Sequence, residues 1–202
     1  MRKRVTSENT GGKLLVGCAR GRWTWRPWRW PGLLLGVLIR LFGALGCGRF
    51  APYSHMFLWY GSTIWEASKT WRRGHISEYD DKSLVVDVYE ILQPNGKPLA
   101  QWQVRRALEM ADAMVGQPYD WYHLIRMAAS MLGILHDDID TYIPTKPLCS
   151  EGVALCYYAA AVDIPGAAGT KLWTFAPWHI LRLLKRKPPM ATLQGRLSLG
   201  LN

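Results

Sequence analysis

Residues 54–67 of this chain read S-H-M-F-L-W-Y-G-S-T-I-W-E-A, and this stretch decides the fold. Two runs rich in aromatic and β-branched residues, 55–60 and 63–67, are typical of β-strands. They are separated by Gly61 and Ser62, and a two-residue Gly-X loop is typical of a type II′ hairpin. The sequence therefore predicts an antiparallel hairpin at this point of the chain.

The predicted hairpin register brings a histidine and an acid together. Counting outward from the loop places Phe57 opposite Glu66, and side chains two residues apart on a strand share a face. His55 and Glu66 are then diagonal neighbours, about 7–8 Å apart at the backbone, which an imidazole and a carboxylate can span. A change of one residue in the loop would send Glu66 to the other face. The alternative is a surface histidine and a surface glutamate with no shared role.

The flanking segments predict a single α+β domain over residues 13–187, with an antiparallel sheet packed against helices. Short apolar runs at 13–18 and 83–92 indicate further strands. Helical periodicity and helix-ending residues predict several helices. These are 33–45, 101–115, 121–135, 150–161 and a basic segment at 177–187. The ends, 1–12 and 188–202, are interpreted as tails.

A basic composition favours anionic partners without choosing among them, since the formal net charge is +10. Residues 20–31 read R-G-R-W-T-W-R-P-W-R-W-P, and two prolines forbid a continuous helix there. Alternating Trp and Arg suit a loop that contacts a membrane interface or stacks on single-stranded nucleic acid. The alternative is an insertion whose tryptophans pack back on the domain.

The segment 32–48 is apolar apart from Arg40. A membrane-spanning helix needs about 20 apolar residues, and a central arginine costs roughly 2.5–3.5 kcal/mol even on a lenient scale. We therefore expect a buried amphipathic helix. No signal-peptide cleavage pattern stands out, so a cytoplasmic or phage-associated protein is expected, with membrane association as the alternative.

The four cysteines match no zinc-site spacing, and a chain of this size with so few cysteines does not suggest a disulfide framework. They are Cys18, Cys47, Cys149 and Cys156. We expect free thiols and neither a metal nor a cofactor. Cys149 follows a proline-containing loop and starts a predicted helix, where backbone N–H groups favour a thiolate and could hold an oxyanion. The alternative is that Cys149, like Cys156, is an ordinary buried core residue.

Taken in order, S-H-M-F-L-W-Y, I-W-E-A, G-Q-P-Y-D-W and C-S-E-G-V resemble the circularly permuted papain-like hydrolases of the YiiX/YebB type. These are relatives of the NlpC/p60 peptidases and of lecithin–retinol acyltransferase. The resemblance spans roughly residues 33–177. It implies a permuted papain-like fold with Cys149 as nucleophile, His55 as base and Glu66 as orienting acid. Tyr119, in the G-x-x-Y-D segment, receives no role.

Two features depart from that family pattern. The G-D-hydrophobic opening strand is replaced by G-K-L-L at 12–15, without the acid, and the Trp/Arg segment has no counterpart. The implied function is a thiol hydrolase that cleaves an amide or ester bond in a cell-wall peptide such as peptidoglycan, or in an acyl lipid. An acyltransferase is a related expectation. The alternative is a non-catalytic protein that binds membranes or, less favoured, nucleic acid through residues 20–31.

Overall fold

Six antiparallel strands form one sheet in the order β4-β3-β2-β1-β5-β6. The structure is a computed structural model that describes residues 12–21, 53–79, 84–123, 125–126, 146–162, 164 and 180–199. The strands are β1 (Leu15–Gly21), β2 (His55–Tyr60), β3 (Thr63–Ala67), β4 (Trp71–His75), β5 (Leu84–Ile91) and β6 (Ala191–Leu199). The helices are α1 (Gln101–Ala113), α2 (Cys149–Ala159) and α3 (Ile180–Leu184), and a 3₁₀ turn covers Ile76–Tyr79.

The central hairpin has the predicted bounds and register. Gly61 has a φ of 58°, in the left-handed region that the first loop residue of a type II′ turn requires. Phe57 pairs with Glu66 across β2 and β3, as counting from the loop predicts. The hairpin and the α+β class are therefore confirmed.

The sheet buries apolar side chains on both faces because its central strands alternate two sets of large residues. On one face, Met56, Leu58 and Trp65 belong to the core shared with α1 and α2. On the other face lie Leu15, Ala19, Phe57, Trp59, Ile64, Val86 and Val88. Helix α2 packs against β2 and β3, so its first residue comes close to the start of the central hairpin.

Strand β4 is absent from the sequence-based prediction. Its first residue, Trp71, is fully buried and donates a hydrogen bond from its indole to the Ala111 carbonyl at 2.8 Å. The same ring lies against Gly152 of α2, where a Cβ atom would overlap it. Trp71 thus ties the edge of the sheet to both helices.

The interpretation of residues 188–202 as a tail is wrong for most of that segment. β6 spans Ala191–Leu199 and pairs with β5, with a bulge between Val88 and Tyr89. The strand predicted at 13–18 instead runs to Gly21, into the start of the segment interpreted as an insertion.

Helix bounds differ from prediction by a few residues. α1 ends two residues before the predicted 115, and Gly116 follows with a φ of 91°. α2 begins one residue before the predicted 150, at Cys149 itself. The described part of 177–187 is helical only over Ile180–Leu184. The predictions for 1–11, for 22–31 and 33–45, and for most of 121–135 lie outside the described residues. Within the described residues, no helix has the length and apolar character needed to cross a membrane.

Candidate active site

Glu66 lies between two basic side chains at the open end of the hairpin. His55 Nε2 and Glu66 Oε2 are 2.9 Å apart. The guanidinium of Arg72, directly opposite Glu66 on β4, donates from Nε to Oε1 at 3.0 Å. The carboxylate of Glu66 is buried away from bulk water, and its two oxygens are contacted by His55 and Arg72 instead. Glu66 is thereby fixed in position to orient the imidazole.

Cys149 is the first residue of α2 and is only 6% exposed. The preceding residue, Leu148, has an extended backbone and marks the start of the helix. At this position the backbone N–H groups of the first turn have no partner within the helix. They can stabilise a thiolate, or the oxyanion that forms when a thiolate attacks a carbonyl.

His55 lies between the acid and the thiol: it bonds to Glu66 at 2.9 Å, and Cys149 is close enough to affect its pKa. Burial of the imidazole opposes its protonation. The interactions with Cys149 and Glu66 outweigh burial and raise the pKa of His55 to about 10. His55 therefore carries its proton at neutral pH in this arrangement. A thiol, an imidazole and a carboxylate stand in the order that nucleophilic catalysis requires.

Residues 116–119, which follow α1, are hydrogen-bonded to the backbone at the β3–β4 connection. Three backbone hydrogen bonds join the two segments: Trp71 N–H to the Gln117 carbonyl, Gly116 N–H to the Trp71 carbonyl, and Tyr119 N–H to the Lys69 carbonyl. Their lengths are 2.7, 2.8 and 3.0 Å respectively. This pairing fixes the backbone of Tyr119 beside the site.

The side chain of Tyr119 lies close enough to Cys149 for the two groups to interact electrostatically. Burial and the nearby charges of Cys149 and Glu151 raise the pKa of this phenol well above its ordinary value, so the hydroxyl keeps its proton. A protonated hydroxyl beside the sulfur can donate to a thiolate. The Trp121 ring lies 4.6 Å from the Tyr119 ring, and Trp121 is about half exposed.

The other described thiols have no such surroundings. Cys18 and Cys156 are free and fully buried, and burial raises the pKa of each. Cys149 is also free. In the part of the chain that the structure describes, no group of His, Cys, Asp and Glu side chains could hold a metal ion.

The structure brings together all three residues singled out from the sequence, which are Cys149, His55 and Glu66. Sequence reasoning missed Arg72, whose strand it did not recognise, and gave no role to Tyr119 or to the buried pair of His123 and Glu151. A signal existed for Glu151, since Glu at the third position of a helix is half of a capping box. No comparable local signal indicates His123.

Comparison with known proteins leaves the family open. No protein-family model matches this sequence, and no curated protein matches it either.

Proposed function

We propose that this protein is a thiol hydrolase that cleaves an amide or ester bond through an acyl-enzyme on Cys149. One observation carries the proposal: His55 contacts both Glu66 and Cys149, and Cys149 is the first residue of α2. A cysteine that serves only as a core residue has no need of a charged imidazole and a buried carboxylate aligned behind it.

The chemistry follows from these positions. Cys149 starts as the thiolate of an ion pair with the His55 imidazolium, and the thiolate forms a bond to the substrate carbonyl carbon. Backbone N–H groups at the start of α2 hold the oxyanion. When the tetrahedral intermediate collapses, the bond to the leaving nitrogen or oxygen breaks, and His55 protonates the leaving atom. Water then attacks the thioester and gives a proton to His55; the carbon–sulfur bond breaks, which releases the carboxylic acid and restores the Cys149 thiolate beside the imidazolium.

The circularly permuted papain-like fold is part of the same proposal. In support of it, the histidine strand β2 precedes the cysteine helix α2 along the chain, and α2 packs against β2 and β3. The substrate classes suggested by the resemblance are a cell-wall peptide and an acyl lipid. The half-exposed ring of Trp121, in contact with Tyr119, is compatible with either class.

The proposal is tested by the rate at which iodoacetamide alkylates Cys149 between pH 5 and 9, read by peptide mass spectrometry. We expect fast alkylation at pH 6, where a free thiol is almost fully protonated. His55→Ala should slow the reaction at pH 6 by at least about tenfold because the imidazolium partner is lost. His75→Ala is the matched control, since His75 is an exposed histidine on β4 of the same sheet.

Two results would refute the hydrolase. Cys149 could react in the wild-type protein no faster than an ordinary thiol, or His55→Ala and wild type could show the same pH profile. Either result would favour the alternative, a binding protein that acts through residues 20–31.

A further inference from the structure

The start of the cysteine helix depends on Glu151. Leu148, at the N-cap, has an apolar side chain that cannot accept a hydrogen bond, so the usual capping residue is missing. Glu151, three residues on, reaches back and accepts the Leu148 N–H on Oε2 at 3.1 Å. A capping box has two reciprocal hydrogen bonds, and with leucine at the N-cap only the one to the Glu151 side chain can form. Cys149 lies between the two residues that it joins.

Glu151 is in turn paired with His123, at ion-pair distance rather than in an aligned hydrogen bond. His123 Nε2 lies 2.9 Å from Glu151 Oε1, and the two side chains are 1% and 2% exposed. Burial raises the pKa of Glu151, and the neighbouring His123 acts in the opposite direction. The backbone N–H of His123 is fixed by Asp120 Oδ1 at 2.9 Å. A buried carboxylate that lost its imidazole partner would have to take up a proton or leave its place.

Two links therefore connect residues 116–123 to the first turn of α2. Tyr119 contacts Cys149 itself, and His123 contacts Glu151 two residues later. Both links start from a segment that is already paired with the β3–β4 connection through Gly116 and Tyr119. The position of the Cys149 backbone is thus constrained by residues 116–123 as well as by the β2–β3 hairpin.

We propose that His123 is a positioning residue for Cys149: by holding Glu151 against the Leu148 N–H, it keeps the first turn of α2 in the geometry that presents the thiol to His55. This inference rests on the proposed function of Cys149 as nucleophile. His123 itself does not contact substrate in this proposal, because its side chain is buried behind the helix.

The test compares His123→Gln with His123→Leu. Glutamine can still donate a hydrogen bond to Glu151, whereas leucine leaves the carboxylate buried without that donor. The first measurement is amide hydrogen exchange in the peptide that covers residues 146–152. In His123→Leu we expect exchange at Leu148 to accelerate by about tenfold, as for a lost helix cap, and in His123→Gln to stay near the wild-type rate.

The second measurement is the pH profile of Cys149 alkylation. His123→Leu should slow alkylation at pH 6 by about tenfold, and His123→Gln should restore it, because the thiolate depends on the N–H groups of the first turn. Val88→Ala is the control for a general loss of stability, since Val88 is buried in the core on the other face of the sheet. It should lower the melting temperature and leave the alkylation profile unchanged.

The inference is wrong if the folded His123→Leu protein keeps wild-type exchange at Leu148, or keeps the wild-type alkylation profile. If that variant does not fold, Glu151→Asp decides the question, because the shorter carboxylate cannot reach Leu148 and His123 together. It should accelerate exchange at Leu148, and wild-type exchange would overturn the inference. If wild-type Cys149 is itself unreactive, the proposed function fails, and exchange at Leu148 still decides the link between His123 and the helix start.

Discussion

Replacing Glu66 by Gln should lower the pKa of His55 while keeping the shape of the site. In the native arrangement, Glu66 accepts from His55 on Oε2 and from Arg72 on Oε1. A glutamine side chain has only one acceptor oxygen, so it can satisfy one of these donors and must present its NH₂ group to the other. In either orientation, the imidazolium loses its negatively charged partner. Arg72 then faces a neutral amide instead of a carboxylate.

The size of the change follows from the strength of that contact. A hydrogen bond to a charged group contributes roughly 1.5–3 kcal/mol, and one pKa unit corresponds to about 1.36 kcal/mol. Losing the contact should therefore lower the pKa of His55 by about one to two units. His55 has a quarter of its side chain exposed to water, which favours the lower end of that range. The pKa should fall from about 10 by about one unit, since the contact with Cys149 remains.

The assay is the titration of the histidine side chains by long-range ¹H–¹⁵N NMR spectra, with the His55 signals assigned from His55→Ala. Glu90→Gln provides the matched control: Glu90 is a buried acid of the same sheet that pairs with Lys13, and its loss should leave His55 unchanged. The reasoning is refuted if the midpoint of His55 in Glu66→Gln stays within about 0.3 unit of the wild-type value, or rises.

Three further substitutions test the packing and the buried polar groups around this site. Gly17→Ala should lower the free energy of unfolding by about 1–3 kcal/mol, because a Cβ atom at this position would overlap the fully buried ring of Phe57; equal stability in urea titrations would mean that the ring can move. Tyr157→Phe should raise the free energy of unfolding by about 1 kcal/mol, since the buried hydroxyl has no hydrogen-bond partner among the described residues; a loss measured in the same titrations would reveal a partner. Asp87→Asn should cost about 2 kcal/mol at pH 7, because the bonds from Arg196 outweigh burial and lower the pKa of Asp87. A group whose folded pKa is lowered stabilises the fold fully above its unfolded pKa, so the difference between Asp87→Asn and wild type should begin to shrink as the pH falls below 3.8 and should vanish once the pH has passed through the lower folded pKa; a difference that does not shrink below 3.8 would contradict the assignment.

The part of the site that could be predicted from sequence is the part that local rules determine. A two-residue loop fixes the register of a hairpin, and the register fixes which side chains share a face. The proximity of His55 and Glu66 therefore follows from the identity of Gly61 and Ser62. The position of Cys149 at a helix start follows equally from the proline-containing loop before it.

The missed elements depend on contacts that are distant along the chain. The W-R-R-G-H sequence of β4 contains two arginines and a glycine, a composition that local propensity does not assign to a strand. In the structure, Arg72 bonds Glu66, and the guanidinium of Arg73 lies 5.5 Å from the centroid of the Trp65 ring. For β6, polar and apolar residues do alternate along 191–199, but Gly195 interrupts the pattern at its centre.

The site contains two histidine–glutamate pairs with the same separation of 2.9 Å, and their surroundings separate their roles. His55 has about a quarter of its side chain exposed and contacts the sulfur, so it can exchange a proton with a substrate that enters from solvent. His123 is buried, with 1% of its side chain exposed, and it pairs with Glu151, the acid that accepts the Leu148 N–H. The distance between the two side chains of each pair therefore says little by itself. His55 is the candidate base because it is exposed to solvent and lies next to the thiol. His123 is buried, and its proposed role is to position the start of α2.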